Sequence, residues 1–182
     1  MIILTGFEKF SIFSENISES LTKSFPDSIQ NIPVVKKVLP VNWVDFIEEY
    51  KNLLTSLKNY PNLVILTGVY SGKKILMERY AWNLAIGLDN SNKYKLGFIN
   101  LNQPFRKKTS LDLEILISVI NRPEKISVSS FPGFYLCNYI YFWALSQTKR
   151  NYPVIFIHLP SSVSLSRLKR NLVNIIKIII NY

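Results

Sequence analysis

The sequence has one cysteine, Cys137, and one histidine, His158. A single cysteine cannot close an internal disulfide, which fits a reducing compartment. If thiol chemistry occurs, only this one Cys–His pair can carry it. No apolar run approaches the roughly 18 residues of a membrane span. Met1-Ile2-Ile3-Leu4 runs straight into Thr5-Gly6 without a basic n-region or a long h-region, so no signal peptide is expected and a cytoplasmic location is. Repeats, linkers and low-complexity blocks are also missing. The net charge is +10, but no long basic tract forms. The cations fall in ones, twos and threes, as at Lys36-Lys37, Arg106-Lys107-Lys108 and Lys149-Arg150. No zinc-finger or RNA-recognition signature accompanies them. A solvated basic surface is therefore favoured over a nucleic-acid interface.

What is present is a globular composition, 48% hydrophobic and 19% charged, long enough for one domain with a real core. Apolar strand-like runs alternate with amphipathic helix-like ones. Ile2–Thr5 reads as a buried strand closed by Gly6. Ile17, Leu21 and Phe25 recur at helical spacing behind a possible N-cap, Asn16. Ile32–Leu39 reads as a strand. Asn42 to Lys58 reads as a helix with Trp43, Ile47, Tyr50, Leu54 and Leu57 on one face. Leu63–Leu66 is a strand ending at Thr67-Gly68, Ile75 to Ile86 strand and loop, and Gly87 to Lys108 mostly loop. Thr109-Ser110-Leu111-Asp112 resembles a capping box opening a helix to Asn121. Ile126–Ser129 and Pro153–His158 read as strands, Tyr135 to Gln147 as a helix, and Leu165, Leu168, Leu172, Ile175 and Ile179 mark the last helix. This alternation predicts a single α/β domain over residues 1–182. An open, twisted, mostly parallel sheet would carry helices on both faces. Ligands in such sheets bind beyond the carboxyl ends of the strands, where Thr5-Gly6, Thr67-Gly68 and His158 fall.

Cys137 stands at the start of the Tyr135–Gln147 helix, and His158 ends an apolar strand just before Leu159-Pro160. A thiol at a helix N-terminus with an imidazole at a strand end is the arrangement used by cysteine hydrolases. The plainer reading of a lone cysteine in an apolar helix is a small buried hydrophobe. Likewise Phe7 and Phe10 read alone as core residues, Asn16 as a helix cap, and Glu78 as a surface acid paired with Arg79.

Five segments, taken together and in order, tip the balance. They are Thr5-Gly6-Phe7-Glu8-Lys9-Phe10 followed by Asn16; Val38-Leu39-Pro40-Val41; Gly68 followed by Glu78-Arg79-Tyr80-Ala81-Trp82-Asn83; Gly133-Phe134-Tyr135-Leu136-Cys137-Asn138-Tyr139; and Phe156-Ile157-His158-Leu159-Pro160. The set resembles the pyroglutamyl peptidase I family, also called pyrrolidone carboxyl peptidases, over nearly the whole chain. The resemblance implies a catalytic triad of Cys137, His158 and Glu78. It implies a lactam pocket lined by Phe7 and Phe10, with Asn16, the backbone at Val69 and Leu136 contributing. It further implies no metal or other cofactor, peptides with N-terminal pyroglutamate as substrates, no membrane partner, and a homo-oligomer, tetramer or dimer. An apolar slot would accept the uncharged lactam and reject the ammonium of an ordinary N-terminus, which would lose its hydration there.

The chain departs from the family pattern at Lys9, where proline is common, and at Ser11, where glycine is common. Ile86-Gly87-Leu88-Asp89-Asn90 lacks the arginine that many members carry near the oxyanion site, and the chain is trimmed around that loop. These departures motivate one alternative, an inactive relative that binds blocked N-termini. The net charge motivates another, a basic nucleic-acid-binding domain. Reactivity of Cys137 separates the first alternative from an enzyme, and salt-dependent binding tests the second.

Overall fold

The computed structural model describes residues 1–10, 15–120, 125–147 and 152–182. Ser11, Asn121 and Lys149-Arg150 lie outside them. The central sheet has seven strands, Ile2–Phe7 (β1), Ser28–Ile29 (β2), Ile32–Leu39 (β3), Leu63–Tyr70 (β4), Ile75–Glu78 (β5), Ile126–Ser129 (β10) and Val154–Pro160 (β11), in the order β10-β5-β11-β4-β1-β3-β2. Pairs β1–β3, β1–β4, β4–β11 and β5–β10 are parallel, whereas β5–β11 and β2–β3 are antiparallel. The sheet is thus mostly parallel, as the alternation predicts.

Strand alternation sends neighbouring side chains to opposite faces. Ile2, Leu4, Ile155 and Ile157 join one apolar cluster. It is covered by helices Ile17–Ser24 (α1), Leu113–Val119 (α3) and Leu165–Asn181 (α5). Ile3, Val154 and Phe156 join the other, covered by Asp45–Ser56 (α2) and Leu136–Ser146 (α4). Helices therefore lie on both faces. The α5 stripe Leu168, Leu172, Ile175, Ile176 and Ile179 is buried throughout, as its spacing requires.

Several boundaries differ from the sequence reading. Gly6 does not close β1 but sits inside it. A Cβ there would meet the Ser18 carbonyl and the Thr22 hydroxyl of α1, so glycine permits the helix to approach. β4 and β11 run on past Gly68 and His158, because each completes the other's hydrogen bonds to Tyr70 and Pro160. α2 begins at Asp45 rather than Asn42. The Asn42 Oδ1 accepts from the Val44 and Asp45 N–H groups and makes a turn ahead of the helix. α3 is capped by Asp112, whose side chain accepts from Ile115 N–H. Thr109 instead donates to the Val154 carbonyl, tying the connection to β11.

The stretch read as mostly loop is more regular. Ala85–Leu88 (β7) and Tyr94–Gly97 (β8) form an antiparallel hairpin, and Tyr80–Trp82 (β6) pairs with Arg106–Lys108 (β9). Asp89 shapes the hairpin turn by accepting from Ser91 and Lys93 N–H.

Candidate active site

The alternation that builds the core also aims the polar groups. On β11, Val154 and Phe156 face α4, so His158, two residues further, faces α4 as well. On β5, Ile75 and Met77 belong to the opposite cluster, which leaves Glu78 on the α4 face. The antiparallel register sets Glu78 across from Phe156, diagonal to His158 and within reach of a long side chain. The contact is made: Nδ1 of His158 lies 2.7 Å from Oε1 of Glu78. Glu78 is 0% and His158 7% exposed. The carboxylate accepts from Nδ1–H and leaves Nε2 for the thiol. Glu78 is therefore not the surface acid of the plainer reading. Arg79 pairs with Glu114 instead.

On the other side of β11, His158 stands beside Gly68 of β4. A Cβ on Gly68 would come 2.7 Å from the Cys137 Sγ and 2.9 Å from the Phe156 ring. The missing side chain is what lets the thiol settle over β4 next to the imidazole. Cys137 and His158 share a side-chain hydrogen bond. Burial alone would push the imidazole down, since a charged ring loses hydration. The hydrogen bonds to Cys137 and Glu78 outweigh burial and hold His158 at about 9. The imidazolium is thus the resting form at neutral pH.

Cys137 lies in the first turn of α4. No side chain caps this helix, and its first backbone bond runs from Tyr139 N–H to the Tyr135 carbonyl. The N–H groups of Leu136, Cys137 and Asn138 precede that bond, have no partner within the helix and are suited to meet negative charge. The next residue fixes the turn in place. Asn138 is fully buried. It accepts from Trp82 N–H at 2.7 Å and donates to the Trp82 and Leu84 carbonyls at 2.7 and 2.8 Å. The sequence reading quoted Asn138 as a neighbour of the thiol but gave it no role; a buried amide at a helix start was the available signal. Asn138→Ala orphans three part-buried backbone groups, and we expect a loss of roughly 3 kcal/mol of stability. Urea unfolding checks this, and a change under about 0.5 kcal/mol would show the three bonds to be unimportant.

A cavity of about 450 Å³ opens at this end of the sheet. Phe7, Phe10, Asn16, Val69, Leu136 and Cys137 all line it, with Tyr135 and Tyr70. His158 and Glu78 are not among the residues that line it. Asn16 has two tasks: its Oδ1 accepts from Ser18 N–H to cap α1, and its Nδ2 donates to the Glu8 carbonyl. The Phe10 ring packs on Tyr135 at 5.6 Å between centroids.

The segment without arginine is held as backbone. Ile86 N–H donates to the Phe134 carbonyl, and the Tyr135 hydroxyl donates to the Leu88 carbonyl, both at 2.8 Å. Gly87, at φ +144°, lies so close to the Tyr135 ring that a Cβ would come within 2.6 Å of it. Burial, with the charges of Asp89 and Cys137, pushes the Tyr135 phenol up to about 12, so it stays a neutral donor. Among the described residues, no group of three His, Cys, Asp or Glu side chains is placed to hold a metal. No helix among them is long and apolar enough to cross a membrane.

A thiol at a helix start, an imidazolium and a buried carboxylate in series, on an α/β sandwich, are groups suited to hydrolytic chemistry. Comparison with known proteins narrows the class. A family model described as pyroglutamyl peptidase matches residues 1–173. A pyrrolidone-carboxylate peptidase of Thermosipho melanesiensis is 29% identical over 171 residues, covering 88% of this chain and 83% of that protein. One from Thermococcus litoralis is 33% identical over 172 residues, covering 87% of this chain and 76% of that protein. The solved pyrrolidone carboxyl peptidase of Thermococcus litoralis superposes with a TM-score of 0.91 at 26% identity, covering 100% of this chain and 93% of that one. The chain belongs to the pyroglutamyl peptidase family and is a peptidase of that kind.

Proposed function

We propose that this protein removes N-terminal pyroglutamyl groups from peptides through Cys137, His158 and Glu78, with a thioester acyl-enzyme. The observation that carries the reading is the continuous chain of contacts from the Glu78 carboxylate through the His158 ring to the Cys137 thiol, opening on an aromatic cavity. The pyroglutamyl ring sits between Phe7, Phe10 and Leu136, with the backbone at Val69 and the side chain of Asn16 near its polar edge. The Cys137 thiolate attacks the pyroglutamyl carbonyl carbon, and the first-turn N–H groups of α4 receive the oxyanion. Losing one such donor typically costs roughly 3 kcal/mol of barrier. The C–N bond breaks as His158 gives its proton to the departing amine. Water then loses a proton to His158 and attacks the thioester. The C–S bond breaks, and free pyroglutamate and the thiol are released. Glu78 orients the ring and balances its charge throughout.

The same reading takes residues 1–182 as one domain, and the protein as cytoplasmic and homo-oligomeric, a dimer or tetramer. The lone thiol supports the compartment. The exposed Leu88, Tyr94, Leu96 and Phe98 on and beside the β7–β8 hairpin support association.

The test is release of a fluorophore from a pyroglutamyl amide, set against the corresponding unblocked glutamyl amide. The expected result is cleavage of the first with at least about a hundredfold preference, since a desolvated ammonium is rejected strongly. Equal cleavage of both would refute the lactam slot. No cleavage of either by folded, reduced protein would favour the inactive, blocked-terminus-binding relative.

A further inference from the structure

The cavity offers more room than one five-membered lactam fills. At about 450 Å³ it lies in the range that encloses much larger ligands. Its wall has two parts. Phe7, Phe10 and Tyr135 gather at one. Tyr70, Ser161 and Leu165 make the other, drawn from the ends of β4 and β11 and the start of α5. The second part lies next to the histidine. The Tyr70 ring is 5.9 Å from the His158 ring. His158 must hand its proton to the departing amine, so the residue carrying that amine leaves along this side.

Tyr70 is also held rigidly. Its hydroxyl bonds to the Lys74 carbonyl and accepts from Lys74 N–H at 3.3 Å. The loop passes beside the ring at Gly72, where a Cβ would collide with it. The Tyr70 carbonyl accepts from Ser161 N–H at 3.0 Å, and the Ser162 hydroxyl donates to the Gly72 carbonyl at 2.8 Å. The loop after β4 is therefore fastened to the one after β11, and the ring is presented as a preorganised aromatic wall.

We propose that Tyr70 is a specificity-determining residue for the position that follows pyroglutamate, its ring forming the wall of the leaving-residue site and favouring apolar and aromatic side chains there. The proposal rests on the pyroglutamyl-peptidase reading above. Tyr70 and Leu165 offer apolar contact and Ser161 a neutral hydroxyl, and the one charged side chain among the described residues of the lining, Glu15, is acidic, so an anionic side chain would lose water without gaining a partner.

The experiment compares kcat/KM for pyroglutamyl-phenylalanine amide and pyroglutamyl-glycine amide. The wild type should prefer the first by roughly tenfold, the scale of one good aromatic contact. Tyr70→Ala should bring the ratio to within about twofold of one, Tyr70→Leu should lower it partway, and Tyr70→Phe should keep it. The alkaline limb of the pH profile should stay in place in all three, since a change there would mean that His158, not the leaving-residue site, had been disturbed. If Tyr70→Ala fails to fold, the Phe and Leu variants decide. Overturning results are an unchanged ratio in Tyr70→Ala or Tyr70→Leu, a lost ratio in Tyr70→Phe, a displaced alkaline limb, or no preference in the wild type while both amides are cleaved. If neither amide is cleaved although Cys137 still alkylates, the underlying reading fails and this one with it.

Discussion

Cys137→Ala should lower turnover of a pyroglutamyl amide by roughly 10⁴-fold or more, the scale on which loss of a covalent nucleophile is felt, while leaving the protein folded. No other thiol exists in the chain. Ser71 and Ser161 line the same cavity, but the hydrogen bonds of His158 go to Cys137 and Glu78, so neither hydroxyl has the base that would activate it. The structural effect should be small. The side chain is only partly buried, and alanine removes a single atom from it. Circular dichroism and urea unfolding should agree with the wild type within about 1 kcal/mol near neutral pH. Activity above a few per cent in the variant would remove the thiol mechanism, whatever else the protein binds.

Raising the pH through about 9 should extinguish activity and weaken the fold together. Above that value His158 loses the proton that the departing amine needs, so kcat/KM should fall with an alkaline limb centred near 9. For stability the sign follows from linkage. The folded value lies above the roughly 6.5 of a free imidazole. The contribution is therefore complete below about pH 6.5 and is lost as pH rises through about 9, amounting at most to about 3 kcal/mol. The buried Oε2 of Glu78 has no hydrogen-bond partner among the described residues, so the carboxylate depends on the imidazolium for compensation. In Cys137→Ala the hydrogen bond to sulfur is gone, and the stability loss should begin at lower pH. Melting temperatures of both proteins between about pH 6 and 10 check this. Parallel curves would show that the thiol does not hold the histidine up.

The residues show why some of this was legible in the sequence and some was not. The β11 run Val154-Ile155-Phe156-Ile157-His158 carries its own alternation, so the position and direction of the histidine follow from local pattern. The same holds for α5 and for the Asn16 cap of α1. The partnership of Glu78 with His158, 80 residues away, is different. It depends on β5 entering the sheet between β10 and β11 and running antiparallel to β11, which no local period encodes, and here only family resemblance pointed to this carboxylate. The β7–β8 hairpin was missed for a physical reason: Leu88, Tyr94 and Leu96 face solvent, so burial imposes no readable alternation on it. The Asp112 cap lost to Thr109 in the sequence reading because the threonine hydroxyl is spent on β11, a non-local contact.

The single sulfhydryl at the mouth of an aromatic cavity makes the protein self-reporting. A thiol-selective reagent that adds one adduct mass to the wild type and none to Cys137→Ala has added it at Cys137, with no competing cysteines to block. The moles of label taken up per mole of chain then count competent centres directly. A pyroglutamyl-shaped electrophile that labels faster than iodoacetamide would measure how well the cavity gathers its ligand, one covalent event per chain.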